Sequence, residues 1–135
     1  MARRLILDTN ILIDIERDAL DRNSLLHHEL ALPAIVIAEF LMGIELLAAP
    51  ARARRSEAVL ATMLELCTTL DYTLSTAEHH ARLSSEARRS GRPRGGYDLI
   101  IAAHAAETGD TILTRDAAAR FGGLPGVRAA SPADL

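Results

Sequence analysis

The sequence contains no lysine: all 15 of its basic residues are arginine. That absence excludes Schiff-base chemistry, P-loop phosphate binding and the lysine-dependent phospho-acceptor sites of receiver domains. Tryptophan is missing too and aromatics reach only 3%, so the core has to be built from Leu, Ile, Val and Ala. A lone Cys67 has no partner for an intramolecular disulfide, which suits a reducing compartment. No run approaches the roughly 18 apolar residues of a membrane helix. Asp8, Asn10 and Asp14 interrupt the apolar stretch after Arg3-Arg4, so a signal-peptide core is not expected. Excess positive charge is also lacking: the net charge is −3, which gives no bulk attraction to nucleic acid. The expectation is a soluble, cytoplasmic chain with no membrane partner, a single domain over residues 1–135.

What is present is an alternation of short apolar runs and helical patterns. Arg4–Leu7 reads as a strand leading into a helix from about Asn10 to Arg17, capped by Thr9 or Asn10. Leu30–Leu32 reads as a strand, with Pro33 in the first turn of a helix that runs to about Leu47. In that helix Ile35, Phe40, Leu41 and Ile44 are expected to form the buried face. Arg52–Leu66 is a further helix, and "TTLDYTL" holds a strand. Ser75 and Glu78 form a capping box for a helix closing on Gly91. After the loop "RPRGG" come a helix Asp98–Thr108, a strand Thr111–Thr114, a short helix Ala117–Phe121 and a strand Val127–Ala129. Strands alternating with helices imply right-handed crossovers, so the expected fold is α/β, a central parallel sheet flanked by helices on both faces.

Two strands run directly into acids: "RLILDTN" ends on Asp8 and "TILTRD" on Asp116. In an open parallel sheet ligands bind beyond the carboxyl ends of the strands, so both acids should stand at one edge. Glu39 interrupts the apolar helix "AIVIAEFLMGI", and Asp98 opens the helix "DLIIAAHAA", where the macrodipole favours an anion. If these helices begin at the same edge, the acids share a pocket. Carboxylates about 4 Å apart repel by roughly 4 kcal/mol at an effective dielectric near 20. They have to protonate, spread apart or bind a cation. Oxygen ligands without His or Cys select Mg²⁺, with Mn²⁺ able to substitute. Neutralising four acids takes the net charge from −3 to +1, and a divalent ion held by carboxylates suits phosphodiester hydrolysis. Each acid taken singly is equally explained as a helix cap or a solvated side chain.

The chain resembles the PIN-domain family, and within it the VapC toxins of bacterial toxin–antitoxin pairs. "LILDTNILIDI" is similar to the first-acid motif, "PAIVIAEFLMGIE" to the second-acid helix, and "YDLIIAAHAAETGDTILTRD" to the third-acid helix and the following strand. "FGGLPGVRAASP" is similar to the usual ending. The resemblance spans the chain. It implies a PIN-like fold and a metal-dependent endoribonuclease acting on RNA, held inactive by a cognate VapB-type antitoxin and usually homodimeric. It implies that Asp8, Glu39, Asp98 and Asp116 form the metal site. Thr114 would contribute a hydroxyl or orient a carboxylate, and Asn10 would hydrogen-bond within the site or cap its helix. One departure is Pro33, where many relatives carry Ser or Thr.

Other residues carry less. The histidines, in adjacent pairs at 27–28 and 79–80 and alone at 104, make poor chelates and read as structural or surface groups. Glu45 reads as structural. The arginines at 52, 54 and 55 and at 88, 89, 92 and 94 either meet RNA phosphates or form a solvated face. Arg115 serves substrate or an ion pair. Two rival functions stand beside the nuclease. A haloacid-dehalogenase-type phosphatase would use Asp8 as nucleophile but wants Asp at position 10, which is Asn. A non-catalytic module would use the acids to hold a cation or a basic peptide.

Overall fold

The computed structural model describes residues 2–135 and shows five parallel strands alternating with helices. The strands are β1 (Arg4–Leu7), β2 (Glu29–Pro33), β3 (Thr68–Leu70), β4 (Thr111–Leu113) and β5 (Arg128–Ala130). The helices are α1 (Thr9–Glu16), α2 (Ala34–Glu45), α3 (Pro50–Leu66), α4 (Leu74–Arg89), α5 (Gly96–Thr108) and α6 (Ala117–Phe121). Across the sheet the strand order is β3-β2-β1-β4-β5. The chain moves outward from β1 to β3, then returns to place β4 on the other side of β1. The reversal leaves a crevice beyond the carboxyl ends of β1 and β4, the place where such sheets bind ligands.

Leu5, Ile6 and Leu7 on β1 are all fully buried, as are Ile112 and Leu113 on β4. Consecutive strand residues point to opposite faces, so helices cover the sheet on both. Helices α1, α2 and α3 pack on one another, and α4 lies along α5. The core is Leu, Ile, Val and Ala with Met63, Phe40 and Phe121, as the scarcity of aromatics requires.

Several expected boundaries shift for identifiable reasons. Pro33 is the last residue of β2, paired opposite Leu70, rather than a first-turn helix residue. With no side chain to cap α2, its N-terminus carries no side-chain hydrogen bond. The capping box of α4 is Thr73 with Thr76, not Ser75 with Glu78, and Gly91 follows the C-cap Ser90 in the left-handed conformation. On α2 the buried stripe is Val36, Phe40 and Ile44, one residue every turn. Leu41 points outward at 45% exposure because the helix is apolar nearly all round, and periodicity alone does not choose its face.

Candidate functional site

β1 delivers Asp8 to the crevice, and the Asp8 N–H donates to the Leu113 carbonyl at 3.0 Å, tying the ends of the two central strands together. Asp8 is also the N-cap of α1, its Oδ1 accepting from the Thr9 N–H at 2.7 Å. Its Oδ2 accepts from the Thr114 hydroxyl at 2.8 Å. The carboxyl is wholly shielded from solvent, and burial pushes its pKa up against the opposing pull of Thr114 and Arg120.

Thr114, the first residue beyond β4, is itself held in place. It accepts from Asn10 Nδ2 at 3.1 Å, while Asn10 Oδ1 accepts from the Arg115 N–H at 3.1 Å. A chain of hydrogen bonds therefore runs from the Arg115 backbone through Asn10 and Thr114 to Asp8. Capping of α1 falls to Asp8, and the Asn10 amide serves the site network.

Glu39 reaches the site from α2, its Oε1 accepting from Thr9 Oγ1 at 3.0 Å. Burial raises its pKa first, with the Asp8 and Asp98 charges adding and the Thr9 hydrogen bond opposing. Asp98 lies in the first turn of α5. Asp116 precedes α6 in the N-cap position, but its side chain is exposed and makes no capping hydrogen bond. Glu39 thus lies near enough to Asp8 and Asp98 for their charges to raise its pKa, while Asp116 is exposed.

The residue that sequence reasoning missed is Arg120. From α6 it donates through Nη1 to Asp8 Oδ2, through Nη2 to Asp98 Oδ1, and through Nε to Asp98 Oδ2 at 3.1 Å. The positive charge demanded by the buried acids is therefore present in the chain. A signal for it existed in kind: with no lysine, the counter-ion had to be a metal or an arginine. Which of the 15 arginines it was depended on where α6 docks. Arg94 helps determine that docking by donating to the carbonyls of Ala119, Arg120 and Gly122.

The remaining arginines sort by partner. Arg115 holds Asp14 through Nη2 at 2.5 Å and Nε at 3.2 Å, a two-bonded ion pair. Arg55 binds Asp18, and Arg52 and Arg55 flank the buried Glu16. Arg88 lines an open cavity of about 530 Å³ beside the start of α5, which it shares with Arg94, Pro93 and Leu99. Glu45 is exposed and makes no ion pair among the described residues. None of the histidines approaches the acids: His104 is buried near Glu107, and His28 accepts from the Arg3 N–H.

Among the described residues, no three of His, Cys, Asp and Glu are gathered as a ready metal-binding group. The donor chemistry nevertheless fits a hard divalent ion. Two carboxylates from separate elements already converge on one cationic group, with a third nearby and no His or Cys beside them. Asp8 and Asp98 are the residues that would hold such an ion, and Glu39 would extend the set.

Comparison with known proteins follows the same lines. The PIN-domain family model matches residues 5–121. A tRNA(fMet)-specific endonuclease VapC of Shigella flexneri is 30% identical over 127 residues, covering 90% of this chain and 94% of that protein. The DNA-bound VapBC of Salmonella typhimurium superposes with a TM-score of 0.82 at 28% identity, covering 97% of this chain and 98% of that one. The VapBC2 of Rickettsia felis, bound to a fragment of its promoter DNA, superposes with a TM-score of 0.83 at 22% identity, covering 95% and 98%; it supports the fold alone.

Proposed function

The chain belongs to the PIN-domain family, as a VapC-type member, and from that premise we propose that it is a Mg²⁺-dependent endoribonuclease, the toxin of a toxin–antitoxin pair. Mn²⁺ substitutes for Mg²⁺ in this reading. The substrate is RNA, the inhibitor a VapB-type antitoxin, the working form a cytoplasmic homodimer. No described helix is long and apolar enough to cross a membrane. The observation that carries the proposal is the convergence of Asp8 and Asp98 on one cation at the switch point of the sheet.

We assign Asp8 and Asp98 as the principal metal ligands, with Glu39 and Asp116 completing or extending the site. When bound there, a divalent ion supplies Lewis-acid stabilisation of a phosphodiester and an activated water. The chain's own residues prepare for this. Thr9 N–H and the Thr114 hydroxyl each take one oxygen of Asp8, so the carboxylate presents a single orientation. Thr9 Oγ1 holds one oxygen of Glu39 and leaves the other without a partner among the described residues. The phosphatase alternative lacks its proton-transfer residue, because position 10 is an Asn, whose carboxamide does not take up or release a proton as a carboxyl does.

Purified chain incubated with a mixture of transfer, ribosomal and messenger RNA should shorten RNA with Mg²⁺ and stop on addition of EDTA. Cleavage that survives EDTA refutes the assignment, and retention of RNA without shortening indicates a binding module instead.

The raised Asp8 pKa also gives a pH prediction. In the metal-free protein burial holds the Asp8 carboxyl above the ordinary aspartate range, so protons compete with an entering cation for it and metal-dependent activity falls as pH drops. Thr114→Val removes a hydrogen bond that favours the ionised form, worth about 1.5–3 kcal/mol when the acceptor is charged. The acid limb of the pH–rate profile should therefore move to higher pH in the variant. Superimposable profiles for the two proteins would count against this orienting role.

A further inference from the structure

The guanidinium of Arg120 stands where a cation shared by Asp8 and Asp98 has to stand. All three of its nitrogens are engaged by these two carboxylates, two on Asp98 and one on Asp8. It is also the nearest positive charge to a fully buried aspartate. Its backbone does not drift, because Arg94 grips the carbonyls of residues 119, 120 and 122 and Phe121 anchors the helix in the core. The side chain alone is free to change place, and at 25% exposure it has a route to solvent.

We propose that Arg120 is a built-in competitor for the metal position, so that a divalent ion enters only by displacing its guanidinium from Asp8 and Asp98. This rests on the reading that those two carboxylates take the ion. Two cations have no room on the same carboxylate oxygens, and a guanidinium left beside a dication is repelled by it. The ion therefore binds the fraction of molecules in which Arg120 has swung away. Its apparent dissociation constant is the intrinsic one divided by that fraction. Arg120 thereby sets the metal concentration at which the site fills.

The test is isothermal titration of metal-stripped protein with Mn²⁺, without RNA, for the wild type and Arg120→Gln. If the guanidinium is released from its pair in about one to ten per cent of molecules, removing it should tighten Mn²⁺ binding by about ten- to a hundredfold. Equal or weaker binding by the variant overturns the proposal. A second measurement needs no variant: the Arg120 Nε–H signal of ¹⁵N-labelled wild type, followed through a Mg²⁺ titration. Release from Asp98 should shift it and speed its exchange with water; a signal unmoved at saturating Mg²⁺ overturns the proposal. Wild-type cleavage of RNA with Mg²⁺ alongside unchanged Mn²⁺ affinity in Arg120→Gln sinks this inference alone. A wild type that binds no divalent ion sinks the metal reading with it.

Discussion

Asp98→Asn should lower RNA cleavage by about a thousandfold or more while the protein remains folded. The substitution exchanges a carboxylate for a neutral amide of the same shape, so the local packing at the start of α5 is kept. What is lost is half of the charge that draws a cation between Asp8 and Asp98. Metal stabilisation of the reacting phosphate is worth several kcal/mol, and each 1.36 kcal/mol is a factor of ten in rate. Mg²⁺-dependent cleavage of labelled RNA, with circular dichroism as the control for folding, checks it. Activity within tenfold of wild type, in a folded protein, would remove Asp98 from the site.

The largest effect on stability is expected at Phe121. Its ring is 1% exposed at the end of α6, with Arg120 stacked over its face at 5.4 Å from the centroid. Phe121→Ala leaves a cavity that a five-residue helix, pinned on its far side by Arg94, has little freedom to close. Such truncations cost about 3–5 kcal/mol. For a chain of this size that corresponds to a fall of roughly 10–18 °C in melting temperature. Gly122 compounds the tightness, since a Cβ there would lie 2.5 Å from the Ala118 carbonyl oxygen. Differential scanning calorimetry checks it; a fall of under 3 °C would mean that α6 is not seated in the core. Because α6 also carries Arg120, the variant should lose the Asp8–Asp98 bridge along with its stability.

Much of the fold was legible because it depends on local pattern. The run Leu5-Ile6-Leu7 is apolar without alternation, the mark of a strand covered on both faces, and it is buried throughout. Gly109 ends α5 in the left-handed conformation, as its position after an Ala-rich helix suggests. Where two local signals competed, the wrong one was read. Ser75-x-x-Glu78 and Thr73-x-x-Thr76 both offer a cap, and a single sequence does not say which turn comes first. The face of α2 was ambiguous because Ile35, Val36, Ile37, Phe40, Leu41 and Met42 leave no polar side to orient it. Only the docked partners α1 and α3 chose Val36, Phe40 and Ile44.

The site divides the same way. That Asp8 ends a strand and Asp98 opens a helix was determined by the sequence itself, since local apolar runs and helix starts place them there whatever the rest of the chain does. So was the mutual repulsion that gathered acids have to relieve, which follows from the charges alone. Which cation stands between them was decided only by the tertiary structure. Arg120 is 112 residues from Asp8 and 22 from Asp98, and it meets both because β4 inserts beside β1 and α6 folds back over their ends. Asp116, in the N-cap position of α6, is exposed although it lies only one helical turn from Arg120. Periodicity and charge act within a few residues, whereas the order of strands in a sheet joins residues a hundred apart.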